Sequence, residues 1–156
     1  MGRLAWARRT APLGIPGAEV NPMASFKLVI NDPATGKSYN FEVTGHHAQN
    51  LMGKKIGDQI DGINANLPGY KLQITGGSDK AGFPMRADFE GTTRRRLLLT
   101  AGIGFHPKDY PGKRARRSVR GNRVSNEIMQ VNMTVAKAGS KPVGEHFATL
   151  ADQKKA

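Results

Sequence analysis

FKLVINDPATGKSYNFEV, residues 26–43, is the stretch that decides the class of fold. Large apolar side chains recur at every second position in both of its halves, which is the period of a β-strand with one buried face. They are Phe26, Leu28 and Ile30 in the first half and Tyr39, Phe41 and Val43 in the second. The NDPATG between the halves contains the residues that favour tight turns. We therefore predict that residues 26–43 form a β-hairpin.

Further strand signals follow along the chain. Three more segments alternate or cluster apolar residues in the manner of strands: 70–74, 96–100 and 128–135. In the second of these, we expect Leu97, Leu98 and Leu99 to be buried or half-buried. Several short strands together with 19 glycines and 9 prolines favour an all-β barrel or sandwich. We predict an all-β fold, specifically a small antiparallel β-barrel with long basic loops.

One stretch of the chain is strongly cationic. Between residues 94 and 123 lie ten Lys or Arg residues and one acid, Asp109, so this stretch holds nine of the chain's twelve net positive charges. Charges this dense repel one another in the folded state unless a polyanion meets them, and a nucleic-acid backbone matches them best. A solvated charge run is the alternative, but such faces usually mix Lys with Glu. Here eight of the ten cations are Arg, whose planar fork grips phosphate.

We therefore predict an RNA-binding surface made by basic residues within and before this stretch. The predicted RNA-binding residues are Lys80, Arg86, Arg94, Arg95, Arg96, His106, Lys108, Lys113, Arg114, Arg116, Arg117, Arg120 and Arg123. His106 follows Phe105, and this pair could stack on an exposed base, or Phe105 could pack into the barrel. Residues 113–123 contain only Ala115 and Val119 as apolar anchors, so we expect this segment to be disordered or extended in the free protein and to become ordered only on RNA.

Composition argues against several other functions. The 156 residues, with 38% hydrophobic content, fit one domain with a modest core, and no apolar run approaches the roughly 18 residues of a membrane span. There is no Cys, so disulfides and thiolate metal sites are excluded. The basic stretch offers only His106 and Asp109 as acid–base groups, and we predict no enzyme, no cofactor, no metal and no small-molecule substrate. An enzyme that acts on RNA, or a free nucleic-acid regulator, is the alternative class.

ITGGSDKAGFPM, residues 74–85, is the most specific string in the chain. Gly76 and Gly77 permit positive φ, and we expect both to hold conformations or a close approach to RNA that a Cβ would obstruct. Ser78 and Asp79 can close a turn through side-chain hydrogen bonds to the backbone, and Pro84 fixes the exit. The order of its Gly, Lys and Ser residues does not fit a P-loop, which argues against an ATP site.

The same string resembles, nearly position by position, the signature of the small-subunit ribosomal protein six of the archaeal and eukaryotic type. The signature positions are Gly76, Gly77, Asp79, Gly82, Pro84 and Met85. Other strings match that family in order and spacing: KKIGDQIDG at 54–62, RRRLLLTAGIGFHP at 94–107, KRARRSVRGNRVS at 113–125 and VAKAG at 135–139. The resemblance covers residues 26–147.

This resemblance implies a structural constituent of the small ribosomal subunit, which binds and stabilises folded rRNA through a basic loop surface and so supports translation. Its partners would be small-subunit rRNA and neighbouring ribosomal proteins, with no membrane involved, and it would lie in the cytoplasm, in the ribosome. Eukaryotic members of the family continue into a long basic C-terminal helix with phosphorylated serines. Because this sequence stops at Ala156, it resembles the archaeal members.

The two ends of the chain differ from its middle. Residues 1–22 hold three Arg, three Pro and no continuous apolar run, and Met23 opens the first strand-like stretch. We expect residues 1–22 to be a disordered or misassigned N-terminal extension, with Met23 as the true start. Residues 23–150 are predicted to form the rRNA-binding β-barrel domain, and residues 151–156 a flexible C-terminal tail.

Overall fold

The computed structural model describes residues 25–110, 112–139 and 141–147, and within these ranges the chain forms seven β-strands and short helical segments. The elements are β1 (Ser25–Asp32), β2 (Lys37–Thr44), α1 (His46–Leu51), β3 (Gln59–Asp61), a 3₁₀ helix (Gly62–Ala65), β4 (Lys71–Asp79), β5 (Arg94–Leu99), β6 (Ala115–Arg120) and β7 (Ile128–Lys137). Residues 143–147 are also helical. The predicted N-terminal extension, residues 1–22, and the predicted tail, residues 151–156, lie outside the described residues.

Five strands make the main sheet, in the order β2-β1-β7-β4-β3. Its pairings are antiparallel except that of β1 with β7, which is parallel. The sheet curls into a half-barrel, with β2 and β3 at its edges. The all-β prediction is confirmed, and the one parallel pairing is a feature that the alternating pattern did not reveal.

The predicted hairpin is β1–β2, which pairs Ser25 with Thr44 at one end and Asp32 with Lys37 at the other. Asp32 makes the turn, because its Oδ1 accepts the backbone N–H of Ala34 at 3.0 Å while its carbonyl accepts that of Gly36 at 2.9 Å. Gly36 has a φ of 66°, in the left-handed region that an L side chain rarely adopts. The turn residues thus fix the register that buries one face of both strands.

The main core lies against one face of this sheet. The alternating apolar residues predicted from sequence are buried there, among them Leu28, Ile30, Leu72, Ile74 and Met133. Buried residues of α1 and of the 3₁₀ helix belong to the same cluster. The core therefore follows the two-residue period, with the short helices covering it.

β7 departs from strict alternation at its start. Ile128 and Val131 are both buried, although three positions separate them. The pairing with β4 shifts at this point, because Gln130 faces Ser78 whereas Ile128 faces Asp79. Such a bulge adds a residue to one strand and turns the following side chains to the opposite face. Ile128 is thereby buried and Met129 remains exposed.

β5 and β6 form a separate two-stranded antiparallel sheet. We call β5, β6 and the connection between them the basic hairpin, residues 94–120. Part of the segment expected to be disordered or extended in the free protein is thus a strand paired with β5. A small apolar cluster of Leu99, Phe105 and Val119 anchors it, and Leu97 and Ala115 pack against that cluster.

The leucines of β5 correct one prediction. Leu99 is buried and Leu97 half-buried, but Leu98 is 60% exposed. Successive side chains of a strand point to opposite faces, so three consecutive leucines cannot share the buried face of a two-stranded ribbon.

Candidate nucleic-acid interface

The basic hairpin carries arginines on both of its faces. Arg117 lies opposite Leu97, Arg116 opposite Leu98, and Ser118 opposite Arg96. Because alternate residues share a face, Arg95 and Arg117 lie on the side of the small apolar cluster. Arg94, Arg96 and Arg116 lie on the other side. The hairpin therefore presents positive charge in two directions.

Three of its arginines lie over phenylalanine rings. The guanidinium carbon lies 4.8 Å from the ring centre of Phe83 for Arg94, 5.7 Å from that of Phe89 for Arg95, and 5.6 Å from that of Phe105 for Arg117. These distances are within the range of a cation–π contact. An arginine held on a ring loses less conformational entropy when it forms a further bond, so these contacts prepare the guanidinium groups for a ligand.

Arg120 corrects the predicted set. Its side chain is buried, with Nη1 3.4 Å from Oδ2 of Asp79 and Nε donating to the carbonyl of Thr92 at 3.1 Å. Nη2 also donates to Glu127. A guanidinium enclosed by two carboxylates and a carbonyl has no free face for a phosphate, so Arg120 is a structural group and is removed from the predicted RNA-binding residues.

The string at residues 74–85 is the joint between the main sheet and the basic hairpin. Asp79 closes its turn as predicted, because its Oδ1 accepts the N–H groups of Ala81 at 2.9 Å and Phe83 at 2.8 Å. On one side, the N–H of Met85 donates to the carbonyl of Gly77 in β4 at 2.9 Å. On the other, the N–H of Arg120 donates to the carbonyl of Pro84 at 2.9 Å. The segment after the turn thus bonds to both sheets.

The two glycines of this string differ from the prediction in part. Neither Gly76 nor Gly77 has a positive φ, and a Cβ on Gly76 would meet nothing within 4 Å. A Cβ on Gly77 would lie 2.4 Å from the carbonyl oxygen of Gln130 and 3.1 Å from the sulfur of Met85. Gly77 is therefore required for close packing of β4 on β7, whereas Gly76 is not. Gly82, with a φ of 82°, is the residue that uses the left-handed conformation in this loop.

Several predicted cations are paired within the chain. Arg123 and Lys55 both contact Oε1 of Glu90, at 3.4 Å and 3.0 Å. The hydrogen bond from Lys55, followed by its charge and the contacts of Arg123, lowers the pKa of Glu90. Lys113 pairs with Asp109. Lys113 and Arg123 are therefore partly neutralised, and exposed pairs of this kind contribute little to stability.

Arg86 is also held by neighbouring groups. Its Nη2 lies 2.5 Å from Oδ2 of Asp88, and its Nη1 donates to the carbonyl of Ile103 at 2.8 Å. It ties the segment after the turn to the connection between β5 and β6.

The remaining cations of the basic hairpin are exposed and, within the described ranges, contact no carboxylate. They are Arg94, Arg95, Arg96, Lys108, Arg114, Arg116 and Arg117. Lys80 and His106 are exposed as well, while Phe105 is buried in the small cluster. The thirteen predicted residues therefore separate into seven exposed cations on one hairpin, three that are paired at the surface, one that is buried, and the exposed Lys80 and His106.

The described residues contain no group of three His, Asp or Glu side chains that could hold a metal ion. In the same part of the chain, no helix is both long and apolar enough to cross a membrane. The site is thus described by its cations, its aromatic rings and its apolar residues.

The sequence of the chain matches that of a known family across both sheets. Residues 26–148 match the family described as ribosomal protein S6e. The chain belongs to the ribosomal protein S6e family. It is 57% identical over 123 residues to the small ribosomal subunit protein eS6 of Methanocella arvoryzae, and the aligned region covers 79% of this chain and 86% of the relative. The protein of the same name from Archaeoglobus fulgidus is 51% identical over 123 residues, covering 78% and 95%.

A third S6e relative, the small ribosomal subunit protein eS6 of Methanoculleus marisnigri, is 49% identical over 126 residues, with 81% and 95% covered. The resemblance found in the signature string is confirmed, and these S6e relatives are archaeal. The S6e family consists of structural ribosomal components and not of enzymes.

Some features of the site in this S6e chain carried no recognisable sequence signal. The contacts of Arg94, Arg95 and Arg117 with phenylalanines join residues that lie up to twelve positions apart. The burial of Arg120 depends on Asp79, which belongs to another sheet. The exposure of Leu98 did have a signal, because it follows from the alternation of β5 once Leu99 is known to be buried.

Proposed function

We propose that this chain is a structural constituent of the small ribosomal subunit that binds and stabilises folded rRNA through its basic hairpin, and so supports translation. The names of its relatives support the assignment to the small subunit. The hairpin supports the contact with rRNA. Its place would be in the ribosome, in the cytoplasm, with neighbouring ribosomal proteins as further partners.

The observation that carries the proposal is the set of seven exposed hairpin cations that contact no carboxylate among the described residues. Their repulsion opposes folding of the hairpin, and an RNA backbone would relieve it. Three of them, Arg94, Arg95 and Arg117, are already placed on phenylalanine rings. Phosphate contacts from these groups would supply most of the affinity, and the shape of the folded RNA would decide where the protein binds.

The test is the salt dependence of binding to small-subunit rRNA transcribed in vitro. We expect Arg114→Gln, Arg116→Gln and Arg117→Gln together to weaken binding and to lower the slope of log K against log salt by about two to three units, since each phosphate contact contributes about 0.7 to 0.9. The control is the removal of three exposed lysines from the main sheet: Lys27→Gln, Lys37→Gln and Lys71→Gln together. This control should leave the slope unchanged.

Each outcome decides between the classes of function. An equal slope for the parent and the arginine variant would make the basic hairpin a solvated face. An equal drop in slope for the lysine control would show that total charge, and not the hairpin, determines binding. Cleavage of the RNA that disappears with His106→Ala would favour an enzyme over a structural protein.

A further inference from the structure

Leu98 is an apolar side chain placed among cations and left uncovered. It is 60% exposed, and its cross-strand neighbour is Arg116. By alternation it shares its face of the basic hairpin with Arg96. An exposed leucine by itself is ordinary, but this one lies in the middle of the surface that we assign to rRNA. A ligand that fits this position has an apolar face for Leu98 and an anionic group beside it for the arginines.

A cleft beside Leu98 limits the size of this ligand. It has a volume of about 280 Å³ and lies where the chain leaves β5 and enters β6. Its lining residues are Arg86, Leu98, Leu99, Thr100, Ala101 and Arg114. This volume is just below the range of about 300 to 1,000 Å³ for small-molecule sites, and it suits one compact group better than a helix or a strand.

The two arginines of the cleft have different freedom. Arg86 is fixed by Asp88 and by the carbonyl of Ile103. Arg114 is exposed and contacts no carboxylate in the part of the chain that the structure describes. The cleft thus combines one guanidinium held in place, one free to reach a ligand, and an apolar wall, and none of the described residues that line it is acidic.

We propose that this cleft receives one unstacked nucleobase of the RNA, with Leu98 packed on the face of the base and Arg114 on an adjoining phosphate. A phosphate alone would leave Leu98 without a contact, whereas a base is apolar on its faces, carries hydrogen-bond acceptors on its edges and has a phosphate on either side. This inference rests on the proposed function and adds to it, because phosphate contacts alone would not require an unpaired base at this position.

The experiment compares two RNA probes: a short single-stranded oligoadenylate and a blunt RNA duplex of the same length. We expect Leu98→Thr to weaken binding of the single strand by about fivefold, the lower end of what one stacked base contributes. Binding of the duplex and the salt slope should not change, because no cation is removed. Leu98→Tyr should strengthen binding of the single strand, since an aromatic ring stacks better on a base.

The matched control is Ile63→Thr. Ile63 is 61% exposed and lies on the 3₁₀ helix of the main sheet's core, away from the basic hairpin. The Ile63→Thr variant should bind both probes as the parent does. All variants should have the melting temperature of the parent, because neither Leu98 nor Ile63 is buried.

Three outcomes would overturn this proposal while leaving the proposed function intact. Leu98→Thr could bind the single strand as tightly as the parent, or it could lose affinity equally for both probes. It could also bind both probes normally and yet be lost from assembled small subunits, which would assign Leu98 to a contact with a neighbouring protein. Failure of the parent to bind either probe or small-subunit rRNA would instead refute the proposed function.

Discussion

Oδ2 of Asp79 lies 3.4 Å from Nη1 of Arg120, and both side chains are almost completely buried. Asp79 ends β4 in the main sheet and Arg120 ends β6 in the basic hairpin. The same carboxylate closes the turn of the signature string by accepting two backbone N–H groups. One aspartate thus holds the turn and links the two sheets.

Replacement of Asp79 should destabilise the protein more than its size indicates. Asp79→Ala leaves a buried guanidinium with fewer partners, and we expect it to lower the free energy of unfolding by about 3 kcal/mol. Urea denaturation measures this loss. Asp88→Ala is the control, because Asp88 also pairs with an arginine but its side chain is 75% exposed, so its removal should cost about 1 kcal/mol or less. Equal losses for the two variants would contradict the assigned role of Asp79.

The two adjacent glycines of β4 should respond in opposite ways. Gly77→Ala places a Cβ 2.4 Å from the carbonyl oxygen of Gln130, so β4 and β7 must separate locally, and we expect a loss of about 1 to 3 kcal/mol. Gly76→Ala meets open space, and it should leave the stability unchanged or raise it slightly because the unfolded chain loses freedom. The urea midpoints of both variants test this. A Gly77→Ala variant with the midpoint of the parent would show that β4 and β7 can separate locally at little cost in stability.

Amide exchange in the RNA-free protein should divide the segment at residues 113–123. Val119 is fully buried and the N–H of Arg120 donates to Pro84, so we expect slow exchange at both positions. Arg114 precedes β6 and is exposed, so its amide should exchange quickly. Uniformly rapid exchange from 113 to 123 would mean that the basic hairpin forms only with RNA, as the composition of the segment alone predicts.

Tyr70 should make stability sensitive to alkaline pH. Its hydroxyl donates to the carbonyl of Lys141, and burial, then the charge of Asp32, raises its pKa above the ordinary value of 10.0. Folding therefore favours the neutral phenol. Its contribution is complete below pH 10.0 and is lost as the pH rises through the higher pKa of the folded protein. Tyr70→Phe should cost about 1 kcal/mol near neutral pH.

The difference between Tyr70→Phe and the parent should shrink above that pH. Denaturation of both proteins at matched ionic strength, near neutrality and again well above pH 10.0, measures it. Lysines also titrate in this range, but they do so in both proteins and cancel in the comparison. A difference that stays constant with pH would show that the hydroxyl is not coupled to folding.

The main sheet was predictable from sequence because its information is local. Leu28, Ile30, Leu72 and Ile74 alternate on strands whose inner face is buried, and Asp32 marks the turn of the first hairpin. Each of these signals lies within a few residues, where period and turn chemistry are sufficient.

The basic hairpin was less predictable because its structure depends on distant contacts. Residues 113–123 have little apolar content, but Val119 finds Leu99 and Phe105, which lie earlier in the chain. In the sequence Arg120 is indistinguishable from the neighbouring arginines, and only its ion pair with Asp79 in the folded chain makes it a buried residue. The density of charge along the sequence therefore predicted the basic surface but could not distinguish the buried arginine from the exposed cations.

β7 lies between β1 and β4, although it is the last strand in the part of the chain that the structure describes. As the chain is synthesised, the β1–β2 hairpin and the β3–β4 pair would emerge as two separate pieces, each with an uncovered apolar face. The arginines of β5 and β6 would also emerge before the strand that joins those pieces. The nascent protein can therefore complete its sheet only after residue 137 has left the exit tunnel. Until then it exposes both apolar and positively charged surfaces to other molecules.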